Sequence, residues 1–186
     1  MNLSLRGFFN EKRAAKCFHR HTALFQPMDQ VLIQESDTMV LFFPVVLKTL
    51  FVQGRNYPWP RPSGCPRCSS CTVWGHGFAD ALFDGYKQPL LLKLYRCPDC
   101  GCVIRLRPKG YFKRFQASVE TIRSSIVCKS ATNRWLPGIS RSRQRHWFRA
   151  VCKRIKAYLT NTWHQGVVSG FDYLLQQGQI PVNRTI

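Results

Sequence analysis

Two short phrases carry the residues with the most chemistry, GCPRCSSC at 64–71 and RCPDCGC at 96–102. Each contains Cys-Pro-x-Cys. Two thiolates at this spacing can bind one tetrahedral metal from a tight turn, and two such turns close a four-sulfur shell. Cys65 and Cys68 supply the first pair and Cys97 and Cys100 the second, with Gly101 suited to a left-handed position after it. Other readings stay open at this point, since Cys68 and Cys71 also form a Cys-x-x-Cys pair, Cys102 crowds the second phrase, and His76 offers a nitrogen. The outer pairs are preferred because proline stands at the same place in both. A closed shell leaves no position for a reactive water, so the expectation is one structural Zn2+ and no enzyme activity.

Rival chemistries fit less well. A thioredoxin-type dithiol uses a single pair at the start of a helix, not two pairs among strands. A zinc deaminase needs His-x-Glu, whereas His76 is followed by Gly77 and Phe78. Nine cysteines is an odd number, and the first residues lack the long apolar core of a secretory signal, which argues against a disulfide framework. A reducing cytoplasm is the expected setting. Cys17, Cys128 and Cys152 stand in apolar or helical contexts and read as buried thiols.

The elements that must position the four sulfurs follow from pattern and punctuation. An apolar run from Met39 to Val52 reads as a buried strand or short helix, too short to cross a bilayer that needs about 20 apolar residues. The proline-rich YPWPRPSG at 57–64 is taken as a boundary. Thr72–Phe78, Pro89–Cys97 and Cys102–Pro108 read as short strands, with Asp84 and Gly85 supplying a turn. From Tyr111 the apolar period lengthens, with Phe115, Val119, Ile122 and Ile126 at helical spacing. A turn at Pro137 and Gly138 precedes a longer helix capped by Ser140 or Ser142 and running to about Leu159. The expected fold is small α+β, a zinc ribbon of short antiparallel strands followed by a helical, helix-turn-helix-like basic module. Its expected divisions are an N-terminal arm and apolar segment over 1–56, the ribbon over 57–110, the basic module over 111–165 and a neutral tail over 166–186.

Charge gives the partner class. The chain carries a formal +19, an excess that favours a polyanionic partner. Residues 111–165 hold twelve basic side chains against one acid, Glu120, a net +11 in one stretch. A merely solubilising face mixes signs. On the helix beginning near Ser140, Arg145, Arg149, Lys153 and Lys156 form a stripe with His146 nearby, set beside an apolar face of Phe148, Val151, Ile155, Tyr158 and Leu159 with Trp147 at its margin. Arg141, Arg143, Gln144 and Arg145 at its start have the chemistry to read base edges in a major groove. These eight residues from Arg141 to Lys156 are the candidate nucleic-acid contacts.

YPWPRPSGCPRC, WGHGF, LYRCPDCGCVIRLRP and SRSRQRHWFRAV together resemble the small zinc-ribbon and helix-turn-helix proteins encoded in bacterial insertion sequences, akin to the N-terminal zinc-ribbon regions of transposases. The resemblance spans roughly Tyr57 to Leu159. It implies duplex DNA binding in the service of transposition, beside a transposase or recombinase and associated with the nucleoid, with Cys65, Cys68, Cys97 and Cys100 at the ligand positions. It also implies that the piece before Met28 or Met39 is an upstream extension. A catalytic core of the acidic-triad type is not expected, because nine acids in the whole chain and the room left beside a ribbon are too few for it. The leading expectation is a DNA-binding accessory or regulatory protein with no membrane partner. The alternatives are an RNA-binding ribbon protein that stacks bases on Trp135 and Trp147, and a scaffold subunit that holds a partner through Met39–Val52 and the FDYLLQQGQI tail.

Overall fold

The computed structural model describes residues 38–160 and 163–183; the N-terminal arm before residue 38 lies outside the described residues. They form a small α+β structure with a four-stranded sheet and four α-helices. The strands are β1 (Thr38–Phe43), β2 (Trp74–Ala81), β3 (Leu90–Arg96) and β4 (Val103–Pro108). The helices are α1 (Leu47–Gln53), α2 (Val119–Thr132), α3 (Arg141–Leu159) and α4 (Gly166–Gln176). No helix among the described residues is long and apolar enough to cross a membrane.

The chain divides into two compact units, one holding the sheet and the other the segment 81–89 with everything from Lys109 onward. In the first unit the strand order is β1-β4-β3-β2. β3 and β4 pair antiparallel, Tyr95 opposite Ile104, while β1 runs parallel to β4 with Met39 opposite Ile104 and Leu41 opposite Leu106. The apolar run is thus both elements that its pattern allowed, a strand followed by the short helix α1. The Tyr57–Gly64 stretch does not separate that run from the cysteine region, because β1 completes the same sheet.

Alternation along β4 explains the packing. Ile104 and Leu106 are fully buried and join Met39, Val73 and Tyr95 in a cluster that also takes in Cys65, Cys97 and Cys102. Side chains two apart share a face of a strand. The sulfur-bearing turns therefore pack directly on the apolar face of the sheet.

The second unit is a three-helix cluster. Ser118 caps α2 by accepting the Thr121 N–H at 3.0 Å, and Asn133 ends it in the left-handed region at φ 56°. Ser140, one of the two residues able to cap α3, does so, accepting the Arg143 N–H at 3.4 Å. Ile122 and Ile126 from α2, Trp147, Val151 and Ile155 from α3, and Phe171 and Leu174 from α4 make one core. The first half of the stretch expected as a neutral tail, Gly166–Gln176, is the third helix of this cluster. Trp147 sits at the centre of the buried face of α3, not at its margin, while Tyr158 is exposed. A bidentate pair between Arg123 on α2 and Asp172 on α4, at 2.8 and 2.7 Å, joins two of the helices at the surface and holds the Asp172 carboxyl below its usual range. Segment 81–89 belongs here as well. Phe83 meets Tyr111 edge-on at 4.8 Å, and the Asp84 N–H donates to the Gln116 carbonyl at 3.0 Å.

The approach of α4 to α3 depends on Gly170. A Cβ there would lie 2.4 Å from Ile155 Cδ1 and 3.2 Å from Trp163 Nε1. Gly170→Ala should gain up to about 1 kcal/mol of helix propensity and lose more to overpacking, roughly 1–3 kcal/mol. Urea denaturation should show a net destabilisation that the double variant Gly170→Ala with Ile155→Val partly restores.

Candidate metal centre and basic helix

The two cysteine phrases fold into turns with matching backbone bonds. In the first, the Cys65 N–H donates to the Ser70 carbonyl at 2.7 Å and the Ser69 N–H to the Cys65 carbonyl at 2.8 Å. In the second, the Cys97 N–H donates to the Cys102 carbonyl at 2.9 Å and the Gly101 N–H to the Cys97 carbonyl at 3.1 Å. Position by position, Cys65 matches Cys97, Cys68 matches Cys100, Ser69 matches Gly101 and Ser70 matches Cys102. Ser69 and Gly101 both take positive φ, 59° and 70°. Glycine adopts this without steric cost, and serine does so under mild strain. Gly64 is required for a different reason, since a Cβ there would meet the Ser70 carbonyl oxygen at 3.0 Å.

This geometry brings four sulfurs together. The ligand atoms of Cys65, Cys68, Cys97 and Cys100 all lie within 4.8 Å of one another. Across the two turns, Cys65 and Cys100 sulfurs are 3.6 Å apart and those of Cys68 and Cys97 3.5 Å. Four sulfurs at about 2.3 Å from a tetrahedral ion would be about 3.8 Å apart, so the cluster fits a metal of that size with little adjustment. The four form a candidate metal site, and they are the four that the symmetric reading selects.

Two further cysteines flank the cluster. Cys71 is exposed and outside the cluster, at the position that Val103 holds after the second turn. Cys102 is 1% exposed and part of the apolar cluster under the turns. Burial, reinforced by the neighbouring Cys65 and Cys100 sulfurs, pushes its thiol up and keeps it neutral. His76 is exposed on β2 and also outside the cluster.

The protonation of the four reflects their crowding. For Cys97, burial opposes ionisation, but N–H donors from Cys100 and Asp99 and the adjoining sulfurs of Cys68 and Cys100 outweigh it and bring the thiol down to about 7. For Cys68, the Ser70 N–H favours the thiolate, yet desolvation and the three surrounding sulfurs together push it up to about 12. One thiol ionises early and another late, because several negative sulfurs at this separation need a cation between them. Protons and a metal ion therefore compete for the site, and affinity for the metal should fall as pH falls.

The second candidate is α3. Arg141, Arg145, Arg149, Lys153 and Lys156 are all exposed. Successive members are three or four residues apart, so they form one stripe along the helix. Among the described residues none of the five has an ion-pair partner. The other three candidate contacts are placed differently. His146 is half-buried. Arg143 is half-buried, bonded to Asp84 at 2.9–3.0 Å with its guanidinium over the Trp147 ring at 4.9 Å.

Gln144 is a correction. It is 1% exposed. Its Oε1 accepts from the Ser125 hydroxyl at 2.7 Å and the Leu136 N–H at 2.9 Å, while its Nε2 donates to the Leu136 and Ile139 carbonyls at 2.8 and 2.9 Å. These four bonds saturate the side-chain amide and clamp the 133–140 connection between α2 and α3. Gln144 is not available to read a base edge. Trp147 is 1% exposed and not available for base stacking, and Trp135 is half-buried, edge-on to Phe148 with the Lys129 ammonium 4.8 Å from its ring. No signal in the sequence marked Gln144 as interior except its place three residues before Trp147 and seven before Val151, on the buried face. No protein-family model, curated protein or solved structure matches the chain.

Native mass spectrometry should find one bound metal ion per chain, lost in Cys97→Ser and kept in Cys71→Ser and Cys102→Ala. Gln144→Leu leaves several polar groups unsatisfied and should destabilise the chain by at least about 2 kcal/mol, against about 0.5 kcal/mol or less for Arg145→Ala. Chemical denaturation of the two variants checks the difference.

Proposed function

We propose that this chain is a non-catalytic DNA-binding protein, in which Zn2+ held by Cys65, Cys68, Cys97 and Cys100 secures a ribbon-like unit and α3 contacts the duplex. The observation that carries the reading is the stripe of five exposed, unpaired cations on α3. Like charges at this spacing repel one another, and a row of phosphates relieves that repulsion while releasing condensed counterions. Zinc suits the metal site because four thiolates and a tetrahedral shell match its preferences, and a closed shell gives it a structural role.

Within this reading α2 and α3 act as an extended helix-turn-helix-like module. The connection over 133–140 is longer than the compact turn of that motif, and the Gln144 clamp makes it rigid. With Arg143 and Gln144 engaged internally, base contacts fall to Arg141 and Arg145 near the start of α3. Arg149, Lys153 and Lys156 contact phosphates. Modest sequence discrimination with a strong electrostatic component follows, as suits an accessory or regulatory protein of a mobile element. Buried Trp147 weighs against base stacking on α3 and hence against the RNA alternative. Phe171 and Leu174, packed in the core, weigh against a scaffold role for the C-terminal segment.

Binding to duplex DNA should weaken steeply with salt. At about 0.9 logarithmic units per phosphate contact, replacing Arg145 and Arg149 with alanine should flatten the slope by about two units. An unchanged slope removes α3 from the interface, and a preference for structured RNA over duplex DNA at physiological salt refutes the DNA reading.

A further inference from the structure

Segment 81–89 lies in the chain between β2 and β3 yet packs as part of the helical unit. Its Phe83 is buried and meets Tyr111 edge-on, the Asp84 N–H donates to the Gln116 carbonyl at 3.0 Å, and the Asp84 carboxylate holds Arg143 at 2.9–3.0 Å in the first turn of α3. Phe83 is not among the buried residues clustered around Trp147. The segment is therefore a strap added to that core, and its docking has a free-energy balance of its own.

That balance depends on a loop. Between Phe83 and Tyr111 the chain has 27 residues, of which 19, Leu90–Pro108, are the β3–β4 hairpin and its turn. β3 and β4 are antiparallel, with Arg96 opposite Val103 and Tyr95 opposite Ile104 next to the turn. Continued away from the turn, the same register sets Leu91 opposite Pro108. A closed hairpin thus brings its own two ends side by side and leaves about eight residues to span from Phe83 to Tyr111. Closure entropy follows the three-halves power of loop length, so shortening the loop in this way favours docking of the strap about sixfold. The turn that closes the hairpin is 97–102, held by the Cys97 N–H on the Cys102 carbonyl, and it carries Cys97 and Cys100 of the four-sulfur cluster.

We propose that a metal ion held by Cys65, Cys68, Cys97 and Cys100 controls the strap: it secures one end of the β3–β4 hairpin, and the other end shortens the loop that docks Phe83 and Asp84. A site of this kind is not preformed in an open chain, so binding the metal and closing the hairpin are linked. With the strap docked, Asp84 restrains Arg143, whose guanidinium lies over the Trp147 ring at 4.9 Å. With the metal gone, Phe83 and Asp84 leave their partners more often and Arg143 loses that restraint, while the core around Trp147 stands in both states. The inference rests on the metal reading of the cysteine cluster and is independent of the DNA reading of α3.

The test is amide hydrogen exchange of the full chain by NMR, zinc-loaded and after chelation, with metal content read by native mass spectrometry on the same samples. Chelation should lower protection of the Asp84 N–H by about sixfold or more, while the Ile126 and Val151 amides keep theirs within about twofold. Cys97→Ser, which lacks a ligand, should reproduce the chelated chain. Phe83→Ala should lower Asp84 protection with the metal still bound and remove most of its dependence on metal, because the anchor that the shorter loop favours is missing. Asp84 protection that stays within twofold on chelation, or an equal fall at Ile126 and Val151, overturns the proposal. A chain that takes up no zinc overturns the metal reading and this inference together, whereas bound zinc with an unmoved Asp84 amide overturns this inference alone.

Discussion

Four sulfurs within 4.8 Å of one another are a constraint before they are a site. Brought that close, they cannot all carry charge unless a cation shares the space, and as neutral thiols they give the two turns little reason to meet. Much of the sheet unit depends on the meeting. Cys65 and Cys97 are buried against Ile104, Leu106 and Tyr95, so the same residues that would hold a metal also close one face of the sheet. A metal ion held there would therefore be coupled to core formation in this unit. The helical unit has no such dependence and is held by apolar packing around Trp147, Phe171 and Ile122.

Charge sets a second constraint. The chain carries +19, and its described ion pairs are few. Two of the described acids pair with cations of the helical unit: Asp172 fastens Arg123, and Asp84 holds Arg143. Arg141, Arg145, Arg149, Lys153 and Lys156 of α3 are exposed together along one stripe. Self-repulsion of this kind is tolerated at a surface that meets an anion.

The sequence was readable where local chemistry decides structure. The strands flanking the cysteine turns, the Ser140 cap and the end of α3 at Leu159 follow from alternation, capping and helical period, and each lies close to where it was expected. The clustering of the four cysteines was legible because the two phrases share proline and spacing, and the repeat is echoed bond for bond in the backbone. Three things were not legible, each for a nonlocal reason. Pairing of β1 with β4 joins residues more than sixty positions apart, and no local pattern encodes it. The interior place of Gln144 depends on Leu136, Ile139 and Ser125 arriving with matching donors and acceptors, whereas its polarity alone suggested the surface. The helix α4 was hidden by reading 166–186 for charge, although Val167, Phe171 and Leu174 recur at helical spacing.

Segment 81–89 has a consequence for how the chain can be divided. It connects two strands of one unit but contributes Phe83, which is 2% exposed, and Asp84 to the other. The polypeptide leaves the first unit, visits the second, returns for β3 and β4, and only then departs for good. No single cut yields two intact pieces. A chain severed between Pro108 and Lys109 would strip the helical part of an aromatic anchor and of the carboxylate that restrains Arg143. The helical unit is therefore complete only in a chain that also carries β2 and β3 on either side of that segment.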